Sequence, residues 1–125
     1  MKHTINCRGR LLDLSTPIVM GVINVNEDSF YADSRSLDAD VVLEKASKML
    51  SEGASILDLG AMSSRPGATI IGEETEINRL IPVIRTLINK FPDVIISIDT
   101  MHSTVAKACV EQGASIINDI SAGNY

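Results

Sequence analysis

The chain has 125 residues, enough for one ordinary domain. Apolar residues make up 45% and aromatics 3%, with no Trp, so a globular core built from Ile, Val and Leu is expected and disorder is not. A formal net charge of −5, with no cluster of Lys and Arg, argues against nucleic acid or an anionic membrane as the main partner.

The longest apolar stretches fall far short of the roughly 20 residues that a membrane span needs. The first residues, Met1 to Cys7, hold no long apolar segment, so no signal peptide is read and a cytoplasmic location is expected. Cys7 and Cys109 are far apart and lack metal-type spacing, so both read as reduced cysteines. Cys109 lies in an Ala-rich helical stretch and reads as a small core residue.

Asn6 to Ser15 predicts a short hairpin with Arg8-Gly9 as its turn. A first buried strand runs from about Ile18 to Asn24, followed by a polar loop from Val25 to Arg35. A helix then runs from Asp38 or Asp40 to Glu52, with Val42, Ala46, Met49 and Leu50 at helical spacing and Gly53 as its cap. The second strand is Ser55 to Leu59, and the loop after it, Gly60 to Ala68, is rich in Gly, Pro and Ser.

The second helix starts near Glu73. Ile77, Leu80, Ile81, Ile84, Leu87 and Ile88 form its stripe, and Glu73, Glu74 and Glu76 suit the dipole of its first turn. Pro82 falls inside the stripe and predicts a kink or a break. The third strand is Val94 to Asp99, the third helix runs from an N-cap at Ser103 to Gln112, and the fourth strand is Ser115 to Asn118.

The alternation of strand and helix predicts a parallel sheet with right-handed crossovers. Continuous β-branched runs predict strands buried on both faces. The segments from Glu52 to Asp58 and from Gln112 to Asn118 echo each other, as in a fold built from repeated βα units. Two architectures fit: an open doubly wound sheet, or the first half of an eight-stranded α/β barrel.

The four apolar runs end in Asn24, Asp58, Asp99 and Asn118-Asp119. In an α/β barrel the chemistry sits at these carboxyl ends. One such Asp would read as a loop cap, but four polar ends in four strands point to a site. Asn24 could ligate a hard cation through its amide oxygen, or orient a substrate oxygen. Asp99 could accept from the N–H groups of a ligand or hold a metal, and Asn118-Asp119 offers donors and an acceptor to a heterocycle with an amide-like edge. Ser63-Ser64-Arg65-Pro66-Gly67 brings hydroxyls and a guanidinium together, which suits phosphate but equally an ordinary surface turn. No Gly-x-Ser-x-Gly elbow and no P-loop occurs. His3 and His102 read as structural or exposed.

Met20 to Phe30 resembles the first signature of the dihydropteroate synthases, and Ile56 to Ala68 resembles the second. Ile98-Asp99-Thr100 and Ile116 to Ile120 resemble the next two, in order, so the likeness runs from about residue 17 to the end. The resemblance implies a TIM barrel that joins 6-hydroxymethyl-7,8-dihydropterin diphosphate to 4-aminobenzoate in folate synthesis. It implies that Asn24 holds Mg²⁺ on the diphosphate. Asp99, Asn118 and Asp58 would bind the pterin, and Ser64 and Arg65 the diphosphate. Asp28, Ser29, Phe30 and Pro66 would sit on the loops that enclose the aminobenzoate. This chain departs from the family pattern with Asn26-Glu27 in place of Thr-Pro, Ala61-Met62 in place of Gly-Glu, and Ser64 in place of Thr.

The expected organisation is the N-terminal half of a pterin-binding barrel, with a hairpin over residues 1–16 and βα units 1 to 4 over residues 17–125. The family's later pterin-binding Asp and Lys would lie beyond it. The isolated chain is expected to be inactive and to self-associate through open barrel edges. Two alternatives remain: a methyltetrahydrofolate-binding methyltransferase domain, and a half-barrel without ligand function.

Overall fold

The structure, a computed structural model, describes residues 3–25, 35–61 and 71–121. Strand β1 (Thr4–Cys7) pairs antiparallel with β2 (Arg10–Asp13). The turn between them places Arg8 at φ 55 and Gly9 at φ 88. Two successive positive φ angles suit the twist of a tight hairpin. The Asn6 side chain accepts from the Gly9 N–H at 2.7 Å and closes the turn.

The remaining elements are β3 (Val19–Asn24), α1 (Arg35–Ser51), β4 (Ala54–Gly60), α2 (Glu73–Lys90), β5 (Ile96–Asp99), α3 (Ser103–Glu111) and β6 (Ile116–Asn118). The four strands form one sheet in the order β3-β4-β5-β6, all parallel. Sequential order leaves no point where the winding reverses, so the doubly wound alternative is excluded. The sheet is four consecutive strands of a TIM barrel, and neighbouring helices pack on each other, α1 on α2 and α2 on α3.

The core lies between sheet and helices. Ile23, Leu57, Leu59, Ile96 and Ile98 from the strands meet Val42, Ala46, Leu80, Ile84, Leu87 and Val105 from the helices. Burial pushes the Cys109 thiol up to about 11, with the Glu76 charge adding to it, so this cysteine is an inert core residue. Gly53 and Gly113 end the turns after α1 and α3 at φ 111 and 122, where a Cβ would be strained, which is why the Gly-Ala-Ser echo exists.

Several expectations change. Only β4 and β5 are buried throughout most of their length. Val19, Met20 and Val22 on β3 are exposed by 60%, 40% and 56%, because β3 lies at one end of the sheet order. Helix α1 begins at Arg35, earlier than the sequence pattern suggests. Pro82 does not break α2, which runs unbroken to Lys90. Pro82 and Asn78 both face solvent, so water can serve the carbonyl that the proline leaves without a donor. Strand β5 starts two residues late, because the Val94 N–H turns back to the Phe91 carbonyl at 3.0 Å. The residue before α3 is His102, not Ser103, and it makes no side-chain cap.

The hairpin sits at the amino end of the sheet. The Arg8 guanidinium donates to the Val110 carbonyl at 2.8 Å. Arg10 pairs with Asp93 at 2.8 Å and donates to the Pro92 carbonyl. A cleft lined by Cys7, Arg8, Ile88 and Gly113 lies there, at the opposite end from the polar strand ends.

Candidate functional site at the carboxyl ends of the strands

Register decides which side chains share a row. Asn24 pairs with Gly60, Gly60 with Asp99, and Asp99 with Asn118. One row deeper, Val22 pairs with Asp58, Asp58 with Ser97, and Ser97 with Ile116. Because side chains alternate along a strand, both rows lie on the same face. The alternate residues Leu57, Leu59, Ile96 and Ile98 point to the helices and are fully buried. Both polar rows therefore line the face away from α1 to α3, which is the interior side of a barrel.

Asp58 is not a strand end, as its place after Ile56-Leu57 suggested. Strand β4 continues to Gly60, so Asp58 lies one row below the rim. Gly60 takes its place in the upper row. A Cβ at position 60 would stand 3.5 Å from Asp99 Cβ and Oδ2, so the Asp99 carboxylate leans over the glycine.

The deeper row is buried and incompletely satisfied. Asp58 is 4% exposed and Ser97 is 0% exposed. Asn118 Nδ2 donates to Asp58 Oδ2 at 3.4 Å. Among the described residues, Asp58 Oδ1 and Ser97 Oγ have no hydrogen-bond partner. Buried polar atoms without partners are rare, so this pair on adjacent strands makes the row a candidate for meeting a polar group.

Negative charge gathers around this row. The Asp99 carboxyl sits above its ordinary value, first because burial disfavours its charge, and then because Asp58, Glu76 and Asp119 repel it. Asp119 itself caps its own turn, accepting from the Ser121 N–H at 2.8 Å and hydroxyl at 2.6 Å. Such a cluster of acceptors suits a ligand edge rich in N–H donors.

Asn24 is exposed at the end of β3, in the same row as Asp99. Mg²⁺ keeps waters and phosphate oxygens and takes few protein ligands, so one amide oxygen beside a diphosphate fits it. Among the described residues, no group of three or more His, Cys, Asp or Glu is gathered to cage a metal. The remaining candidates, Asp28, Ser29, Phe30, Ser64, Arg65 and Pro66, lie outside the described residues.

The sequence reading missed two features. Ser97 interrupts an otherwise apolar run, and that interruption was its signal. Glu76 was assigned to the dipole of α2, yet it is 0% exposed. Its spacing to Leu80, Val83 and Leu87 is that of the buried stripe.

Parallel strands in sequential order, helices on one face and polar rows at the carboxyl ends define a protein of the α/β-barrel class. A family model described as "Pterin binding enzyme" matches residues 20–125. The chain belongs to that family. It is 41% identical over 107 residues to a dihydropteroate synthase of Staphylococcus haemolyticus, covering 86% of this chain and 39% of that protein. It is 46% identical over 107 residues to the folic acid synthesis protein fol1 of Pneumocystis carinii, covering 86% of this chain and 14% of that protein.

Solved structures agree. A Xanthomonas albilineans dihydropteroate synthase with 4-aminobenzoic acid superposes with a TM-score of 0.86 at 37% identity, over 98% of this chain and 45% of that one. The Burkholderia cenocepacia enzyme complexed with 7,8-dihydropteroate gives a TM-score of 0.80 at 32% identity, over 98% of this chain and 40% of that one. The chain thus spans less than half the length of these relatives.

Proposed function

We propose that this chain carries the pterin-binding and metal-binding part of a dihydropteroate synthase. The reaction joins 6-hydroxymethyl-7,8-dihydropterin diphosphate to 4-aminobenzoate in folate synthesis. The amine nitrogen bonds to the exocyclic methylene carbon, diphosphate leaves with the electrons of the broken C–O bond, and the nitrogen loses a proton. The observation that carries this reading is the buried pair Asp58 Oδ1 and Ser97 Oγ, without partners among the described residues and one row beneath Asp99 and Asn118.

The pterin edge presents ring N–H and amino donors. Asp99 and Asp58 accept from them, while Asn118 holds the Asp58 carboxylate and orients it. In a site shielded from water these contacts fix the ring so that its methylene faces the amine. Asn24 would hold Mg²⁺, which when bound offsets the charge of the departing diphosphate. Ser64 and Arg65 contact the same diphosphate, and Asp28, Ser29, Phe30 and Pro66 belong to the loops around the aminobenzoate. No protein nucleophile is needed.

The organisation follows from the same reading: a hairpin over residues 1–16 and βα units 1 to 4 over residues 17–125, of which the described residues hold four strands and three helices. The described residues supply four of the strand ends that a barrel site draws on. Exposed Val19, Met20 and Val22 on β3 and Ile117 and Ile120 at β6 favour self-association through the sheet edges. Two buried, unpaired cysteines suit a reducing cytoplasm.

Calorimetric titration of the chain with 6-hydroxymethyl-7,8-dihydropterin diphosphate tests the reading. Binding that Asp99→Asn weakens, with methyltetrahydrofolate unable to compete, supports it. Equal preference for methyltetrahydrofolate would favour the methyl-transfer alternative.

A further inference from the structure

Helix α2 places one carboxylate where the core should be apolar. Glu76 is 0% exposed, yet both of its oxygens are engaged. Thr100 Oγ1 donates to Glu76 Oε2 at 2.7 Å. His102 Nδ1 lies 2.7 Å from Glu76 Oε1, where a ring N–H donates to the carboxylate. The His102 backbone N–H donates in turn to Thr100 Oγ1 at 3.2 Å, closing a ring of contacts. Thr100 follows Asp99 directly, and Ser103 begins α3, so this ring holds the whole connection between β5 and α3. A loop staple could use a hydroxyl or an amide on the surface. A buried carboxylate costs far more unless its contacts are worth it.

We propose that Glu76 is a positioning residue for the pterin site, acting through Thr100 and His102 to fix the backbone that presents Asp99. The proposal rests on the pterin reading above. Gly60 lets the Asp99 carboxylate lean across the sheet, and the Glu76 ring sets the strand end from which it leans. The charges that act on Asp99 come from three neighbouring elements: Asp58 from β4, Glu76 from α2 and Asp119 from the end of β6. Glu76 is thus placed to govern both the position and the charge of Asp99.

The test is a carbon-13 NMR titration of the Asp99 carboxyl in the ligand-free full chain, with pterin affinity measured in parallel. Glu76→Gln should move the Asp99 midpoint down toward the ordinary carboxylate range and weaken pterin binding about tenfold. Glu73→Gln serves as the control. Glu73 accepts from Thr104 at 2.7 Å on the exposed side of the same helix, so neither readout should move. If Glu76→Gln does not fold, Thr100→Val should weaken binding and Thr100→Ser should restore it. An unchanged midpoint and affinity in Glu76→Gln would overturn the proposal, as would Thr100→Val binding like the parent. Failure of the unsubstituted chain to bind pterin would instead overturn the pterin reading, and the ligand-free titration would still decide the coupling.

Discussion

Asn118 reaches over β5 to donate to Asp58, at 3.4 Å, although the two residues sit on strands that do not pair. The contact ties β6 to β4 and engages Asp58 Oδ2, while Asp58 Oδ1 has no partner among the described residues.

Asp58→Asn separates binding from stability. The substitution keeps shape but removes one of the charges that repel Asp99. The folded state should be as stable as the parent or slightly more so, by up to about 1 kcal/mol. Pterin affinity should fall by about tenfold or more, because an acceptor becomes a donor facing donors. Urea unfolding and calorimetric titration of the same protein measure both.

Asp99 sets a pH dependence whose sign is fixed. Burial, and then the charges of Asp58, Glu76 and Asp119, hold its carboxyl above the ordinary carboxylate range. Between the ordinary and the raised value the native state holds more protons than the unfolded chain. Stability contributed by this group therefore falls as pH rises through that window and is level above it. A ligand that donates N–H groups needs the ionised carboxylate, so pterin affinity should rise over the same window. Affinity measured from pH 4 to pH 8 checks this, and Asp58→Asn should move the midpoint to lower pH.

Two glycines should respond differently to Ala. Gly113 has φ 122, and a Cβ there would strike the Ile88 side chain. Gly113→Ala should cost about 1–3 kcal/mol of unfolding free energy. Gly21 has an ordinary φ, and its Cβ would meet the Met49 side chain, the sulfur at 2.7 Å and Cβ and Cγ at 3.4 Å. That flexible side chain can swing aside, so Gly21→Ala should cost about 1 kcal/mol or less. Thermal or urea unfolding of the two variants gives the comparison.

Much of this was legible in the residues. The runs at β4 and β5 and the stripe of α2 carried their elements, because burial on two faces or on one stripe leaves a periodic mark. The Gly-Ala-Ser echo marked the two turns where positive φ is required. The depth of Asp58 was not legible. A strand's last residue is set by where its ladder stops, and a row across the sheet is set by register, which spacing along one strand does not encode. Glu76 was misread because acidic residues in a first turn usually serve the helix dipole, and only packing shows which of three faces the core. Pro82 was misread because its cost depends on whether the freed carbonyl meets water.

The central claim is that the buried row beneath Asp99 receives a pterin. Calorimetric titration of the 125-residue chain with 6-hydroxymethyl-7,8-dihydropterin diphosphate, beside its Asp99→Asn variant, tests it most directly. The account predicts saturable binding by the parent and binding weakened by about tenfold or more in the variant. Equal affinity of the two proteins, or no binding by a folded parent chain, would contradict it.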